Sequence, residues 1–174
     1  MRFFLSFLFL TMISCGSSVI TDYDTTTDFS EYQTYGFYPS IDSGLSNLDD
    51  KRIQQSLDTL LHSRGLTKSD RPDLLVNYFA SQQLSPSRSS IGIGIGGGGG
   101  NVGVGVSGGV PIGGNTIEQR LTLDFIDRYK DQLVWQAVAE SSLSERSTAE
   151  QKKQHYRQVI KKMLKKFPIP NTKK

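Results

Sequence analysis

"TIEQRLTLDFIDRYKDQLVWQAVAES" (residues 116–141) contains two apolar runs on either side of a polar segment. Within each run the apolar residues recur at every second position, which is the period of a half-buried β-strand. They are Leu121, Leu123 and Phe125 in the first run and Leu133, Trp135, Ala137 and Ala139 in the second. The polar segment "DRYKDQ" between the runs predicts a turn. The stretch is therefore expected to form two strands that pair antiparallel.

Two amphipathic helices are predicted, one on each side of the strand-rich region. Residues 47–65 carry an apolar stripe at i, i+4, i+7 and i+8, with Asn47 as the expected N-cap and Gly65 after the C-terminus. The last helix is expected to begin with a capping box from Ser147 to Glu150 and to end before Pro168. Its stripe has helical spacing throughout and consists of Tyr156, Val159, Ile160, Met163, Leu164 and Phe167.

The strand predicted between the first helix and the hairpin has apolar residues on both faces. Leu74, Val76, Tyr78 and Ala80 share one face, and residues such as Phe79 lie on the other, which favours a central place in the sheet. The order of elements predicts an α+β fold, in which two amphipathic helices pack on one face of an antiparallel β-sheet. A single domain over residues 19–168 is expected, followed by a short basic tail at 169–174.

Residues 91–114 hold 13 of the 17 glycines and are interpreted as a β-hairpin insertion. Ile and Val spaced by two suggest strands that extend from the sheet next to Leu74–Ala80. A phosphate-binding loop at Gly94, Gly96 and Gly99 is disfavoured because no helix follows it. A transmembrane glycine zipper at the spacing of Gly92, Gly96 and Gly100 is disfavoured because glycine destabilises helices.

The N-terminus has the pattern of a secretory signal. A short apolar run follows Arg2 and is too short to span a bilayer. The segment Met12-Ile13-Ser14-Cys15 resembles the lipobox of bacterial lipoproteins, in which the cysteine receives lipid and cleavage precedes it. Residues 1–14 are therefore predicted to be a lipoprotein signal peptide, Cys15 the lipidation site, and residues 15–30 a lipidated N-terminus and tether leading into the first strand. Gly16, in place of Asp, favours the outer membrane.

Composition excludes several classes of function. Without Arg2 the chain has 19 basic and 17 acidic residues, so no nucleic-acid partner is expected. Cys15 is the only cysteine, which rules out an intramolecular disulfide. His62 and His155 are interpreted as solvated surface residues. No catalytic, cofactor-binding or metal-binding residues are predicted, and the lysines of the last helix are interpreted as a solvated face or as a surface for anionic lipid or an acidic partner.

Several segments, in order, resemble the DUF4136 family of bacterial lipoproteins over about residues 20–168. They are "DYDTTTDFSEYQTYGFY", "DDKRIQQSLDTLLHSRGL", "PDLLVNYFA", "LTLDFIDRYKDQLVWQAVAES" and "IKKMLKKFP". Gln136-Ala137 departs from the glycine that most members have after their tryptophan. The shared motifs are structural, and the resemblance implies no established activity and no catalytic residues.

The sequence thus predicts a cell-envelope protein that is anchored by lipid in the outer membrane and faces the periplasm. The expected role is non-catalytic binding or scaffolding, with a sheet edge or the Gly-rich hairpin as the contact for an envelope protein. The alternative is an envelope enzyme that acts on cell-wall or lipid substrates, for which one sequence shows no clustered acid, base or nucleophile.

Overall fold

The computed structural model describes residues 18–86, 90–91, 110–111 and 114–168. A single turn of 3₁₀ helix at Phe29–Glu31 lies between the first two strands. In chain order the strands and helices are β1 (Ser18–Tyr23), β2 (Thr34–Phe37), α1 (Asn47–His62), β3 (Thr67–Lys68), β4 (Leu74–Ser85), β5 (Ser90–Ile91), β6 (Val110–Pro111), β7 (Thr116–Asp127), β8 (Gln132–Ser144) and α2 (Ala149–Leu164).

The main sheet has six strands in the order β1-β8-β7-β4-β2-β3. The predicted hairpin is present, since β7 and β8 pair antiparallel, and β4 has the predicted interior position between β7 and β2. The α+β class is confirmed. The sheet is mixed and not wholly antiparallel, because β2 pairs parallel with both β3 and β4. A parallel pair needs a crossover connection, and α1 supplies the one between β2 and β4.

Both helices pack on the same face of the sheet, as the two apolar stripes predict. They run side by side in the same direction: Lys152 Nζ lies 3.5 Å from Asp49 Oδ2 near their N-termini, and Arg64 Nη1 donates to the carbonyl of Phe167 near their C-termini. The core between helices and sheet includes Trp135, which is fully buried as expected. Phe167 closes one end of this core by stacking on Phe125, with ring centroids 4.2 Å apart.

Both helix N-caps lie one residue away from the predicted positions. Ser46, and not Asn47, caps α1 by accepting a hydrogen bond from the amide of Asp49. In α2 the capping box is formed by Thr148 and Gln151, whereas Ser147 and Glu150 were predicted. Each cap lies beside a second residue of capping type, so the sequence offers two adjacent starting points and tertiary packing selects one.

Thr148→Ala is expected to lower the free energy of unfolding by about 1 kcal/mol, because it leaves the amide of Gln151 without its acceptor. Urea denaturation followed by far-UV circular dichroism measures the change. Ser147→Ala is the matched control and should have an effect below about 0.5 kcal/mol. A larger loss from Ser147→Ala than from Thr148→Ala would contradict the observed cap.

A β-bulge in β8 alters the predicted alternation at the start of that strand. Trp135 pairs with Phe125, but Leu133 pairs with the next residue, Ile126, so Val134 is the extra residue. Leu133 was predicted to share the face of Trp135, yet it is 51% exposed while Val134 is buried. The prediction was wrong at Leu133 because the bulge changes which residues face the core.

Four predicted segments lie wholly or partly outside the described residues. The signal peptide, Cys15 and the basic tail at 169–174 are outside them. From Ser18 onward the predicted tether belongs to the folded domain, since β1 pairs with β8 and Phe29 is buried. Of the Gly-rich segment at 91–114, the described positions include β5 and β6, which form a short antiparallel ladder; most of the rest is outside the description.

Among the helices of the described residues, none combines the length and apolar character needed to cross a bilayer.

Candidate functional site

The face of the sheet opposite the helices is the candidate site and is called the open face below. Residues of β7 that point to the helices, such as Leu123 and Phe125, are buried in the core, so their neighbours point to the open face. Strand register arranges the open-face residues in rows across four strands. The apolar row is Ile20, Val138, Thr122 and Phe79; the polar row is Asp22, Gln136, Asp124 and Asn77; the charged row is Ser18, Glu140, Arg120 and Ser81.

The apolar row carries exposed hydrophobic surface at both of its ends. Ile20 on the edge strand β1 is 71% exposed, and Phe79 on β4 is 45% exposed. Between them Val138 is half-buried and Thr122 is buried. Ile20 and Val138 are adjacent apolar residues on neighbouring strands, and Thr122 separates them from Phe79. Exposed apolar residues grouped in this way make a candidate interaction surface, whereas single ones are common on any protein.

The polar row centres on Asp124, whose carboxylate is buried although it lies on the open face. Gln136 Nε2 donates to Asp124 Oδ1 at 2.8 Å. Burial raises the pKa of Asp124, while hydrogen bonds from Gln136 and Asn77 act in the opposite direction. These contacts hold the amide groups of the row in place, so the row can present fixed donors and acceptors to a bound partner.

Three broad depressions lie on or beside the open face. One follows the charged row and encloses about 330 Å³ between Gln83, Glu118, Arg120 and Glu140. A second, of about 270 Å³, lies at the β1 edge, where Asp22, Leu133 and Gln136 line it. The third, of about 730 Å³, lies at the β2–β3 side and is lined by residues that include Phe37, Lys68, Leu75 and Arg128. Together they make a wide, uneven surface.

The titratable groups described on this surface include one ion pair, between Arg120 and Glu140. Arg120 and Glu140 approach to 3.6 Å, but both side chains are mostly exposed, so their ion pair contributes little. Within the described parts of the chain, no group of three or more His, Cys, Asp or Glu side chains could hold a metal ion.

The two histidines have different environments. His62 is exposed at the end of α1, as predicted. The prediction was wrong for His155, which is half-buried on the sheet side of α2 and lies 3.2 Å from the hydroxyl of Ser141 through its Nε2. Burial lowers the pKa of His155. In the described residues no carboxylate hydrogen-bonds to this ring, so the pair lacks the third group that orients a catalytic histidine.

Next to this pair, Gln119 is a buried polar residue that sequence reasoning missed. Its Nε2 donates to the hydroxyl of Tyr156 at 3.2 Å, and its buried Oε1 has no hydrogen-bond partner among the described residues. The sequence signal that could have indicated a buried polar residue is Gln119 itself, a polar residue at a position where the alternation in β7 is otherwise apolar. The open face itself was also missed, although the pairing of apolar residues on both sides of β4 indicated it.

The described residues therefore define a two-layer α+β domain with helices on one face of a mixed sheet and a wide open face on the other. The chain belongs to the DUF4136 family, described as a domain of unknown function, whose model matches residues 19–169. The family resemblance found in the sequence is thereby confirmed. A search among curated proteins found no match to the chain.

Solved structures of similar fold include a PDZ domain protein from Parabacteroides distasonis, with 18% identity and a TM-score of 0.51. The match covers 89% of this chain but only 37% of that one, so this chain spans little more than a third of that protein. A PelC dodecamer from Paraburkholderia phytofirmans matches at 11% identity with a TM-score of 0.53, covering 89% of this chain and 100% of PelC. At these identities the likeness shows the fold alone.

Proposed function

We propose that this protein is a lipid-anchored cell-envelope protein that faces the periplasm from the outer membrane and binds another envelope component through the open face of its sheet. The anchor is Cys15, which follows an apolar segment in a lipobox-like context. The role is binding or scaffolding without chemistry of its own. The contact through a sheet edge that the sequence predicts is compatible with binding at the open face, because Ile20 of the open face belongs to the edge strand β1.

The observation that carries this proposal is the apolar row with its exposed ends at Ile20 and Phe79. A row of this kind beside a row of fixed polar groups resembles the core and rim of a protein-binding surface. Enzymes for small substrates usually use a deep concave pocket with converging titratable groups, whereas the depressions described above are spread across a broad face.

The test is photo-crosslinking in cells from an unnatural amino acid placed at Phe79. Gln55, which is exposed on the outer side of α1, serves as the matched position away from the open face. A discrete adduct is expected from position 79 and not from position 55. Ile20→Asp should abolish the adduct without changing the melting temperature, because Ile20 is mostly exposed. Adducts that are equal at both positions, or insensitive to Ile20→Asp, would refute the open face as the binding surface.

The second candidate is an envelope enzyme acting on cell-wall or lipid substrates. The contact between Ser141 and His155 favours it, because a hydroxyl beside a histidine is a pair used in nucleophilic catalysis. Ser141→Ala separates the two candidates, since an enzyme would lose its cellular role with this change while a binding protein would keep both its role and its adduct from position 79.

A further inference from the structure

The outward side of α2 carries six exposed cations, which are called the cationic strip below: Lys153, Arg157, Lys161, Lys162, Lys165 and Lys166. Four of them follow one another at intervals of four residues, so they form one ridge along the helix. This ridge extends about 18 Å at the rise of an α-helix. Positive charges at that spacing repel one another and destabilise the helix. The cations of the last turn, Lys161 and Lys162, are favoured by the helix dipole, which offsets part of this repulsion, and the dense positive charge makes the strip a candidate contact for an anionic partner.

Few acidic groups of the domain neutralise this strip. Glu150, in the first turn of α2, approaches Lys153 at 3.9 Å, and both side chains are mostly exposed. Lys152 points elsewhere, to Asp49 on α1, and Asp58 of α1 pairs with Lys68. The ion pairs of the described residues include none for the other five cations of the strip. Their charge is available to an anionic surface.

The position of the strip relative to the chain's N-terminus restricts which surface it can meet. α2 packs against β1 and β8, so this helix lies on the same side of the domain as the β1 edge, and its strip points away from these strands. Two residues lie between Cys15 and Ser18, so the Cα atoms of Cys15 and Ser18 are at most about 11 Å apart. A lipid on Cys15 would hold this side of the domain close to the bilayer.

We propose that the cationic strip lies on the phosphate headgroups of an anionic phospholipid bilayer. The axis of α2 is then parallel to the membrane surface, and the open face points away from the membrane. This inference rests on the proposed lipid anchor at Cys15 and adds the orientation in which the anchored domain is held. An anionic surface attracts lysines and arginines only within about a Debye length, so the strip must lie close to the headgroups. The open face is farther from the bilayer and is not attracted to it.

The experiment uses the full lipidated protein in vesicles, with one cysteine introduced at Gln158 within the strip or at Ser81 on the open face. Both positions are exposed, and the native cysteine is occupied by lipid in the proposed protein. A fluorophore at each position is quenched by a headgroup-attached quencher in vesicles of phosphatidylcholine alone or mixed with phosphatidylglycerol. Quenching at position 158 should increase with phosphatidylglycerol and exceed that at position 81. Raising salt towards 1 M, where the Debye length is about 3 Å, should reverse the increase.

Charge reversal tests the strip itself. Lys161→Glu with Lys162→Glu should lower the ratio of docked to undocked domain by at least about fivefold for each cation removed. Arg71→Glu with Arg128→Glu changes the net charge equally at exposed positions outside α2 and should leave the ratio unchanged. Quenching at position 158 that does not depend on phosphatidylglycerol, or that both double variants reduce equally, overturns the proposal and favours an acidic protein as the partner of the strip.

Failure of the anchor is detected separately by flotation. A protein without lipid at Cys15 would not float with vesicles of phosphatidylcholine alone. Failure to float with these vesicles therefore refutes the anchor. Such a protein would still float with vesicles containing phosphatidylglycerol if the strip binds anionic lipid. Loss of flotation with both kinds of vesicle refutes the strip as well.

Discussion

Leu164→Asp is expected to leave most of the domain unfolded at room temperature. Leu164 is 1% exposed and lies in the stripe of α2 that faces the core. Removing the leucine costs about 2–5 kcal/mol, and burying an unpaired carboxylate adds several kcal/mol more. Since the total stability of a domain is about 5–15 kcal/mol, the combined loss removes most of it.

Urea denaturation measures this loss, with the fluorescence of the single tryptophan as the signal. Trp135 is fully buried and lies with Phe167 in the same core, at a ring-centroid distance of 5.0 Å. Lys162→Asp is the matched control, because it introduces the same side chain two residues away on the exposed side. Its effect should stay below about 0.5 kcal/mol. Comparable losses from both variants would mean that α2 does not pack through this stripe.

Cys15→Ala is expected to abolish both the incorporation of labelled palmitate and the membrane association that resists an alkaline wash. Alanine has no thiol to receive the lipid, and Cys15 is the only cysteine in the chain. Each buried CH₂ group of an acyl chain contributes about 0.8 kcal/mol to membrane binding, so without the lipid only the electrostatic contact proposed for the cationic strip remains, and an alkaline wash releases it.

Metabolic labelling followed by membrane fractionation and an alkaline wash gives the measurement. Ser17→Ala is the matched control, because it changes a residue near Cys15 but keeps the cysteine. It should incorporate palmitate and fractionate as the unaltered protein does. Palmitate that still enters the Cys15→Ala chain would show that lipid is attached elsewhere or that the label is nonspecific. The lipoprotein hypothesis, and with it the assigned location of the protein, would then be wrong.

The parts of the fold that the sequence predicted are those with a local periodic signal. The pairing of β7 with β8 and the buried stripes of both helices follow from periods of two and 3.6 residues within short segments. β3 was missed because it has two residues, which is too short for any period. The parallel pairing of β2 with β4 depends on residues 39 positions later in the chain, and no local sequence pattern indicates it.

The candidate site was less accessible to sequence reasoning than the fold. The open face joins β1, β4, β7 and β8, so its rows exist only through strand register. His155 was misplaced because its helix position is adjacent to the apolar stripe, and only the structure shows Ser141 beneath it. The exposure of Leu133 depends on the bulge at Val134, and no pattern in the sequence indicates that bulge.

The pairing of β1 with β8 also determines when the sheet can be completed. Ser18 pairs in register with Glu140, so β1, the first strand, cannot join the sheet before β8, the last strand of the sheet, has formed. In the export proposed for this protein, the N-terminal strand would emerge early, and its partner would emerge only after almost the whole chain had crossed the membrane. Contacts between such distant segments slow folding, because a large loop must close before they form. Under the proposed export, β1 would therefore be among the first strands to emerge and among the last to be paired.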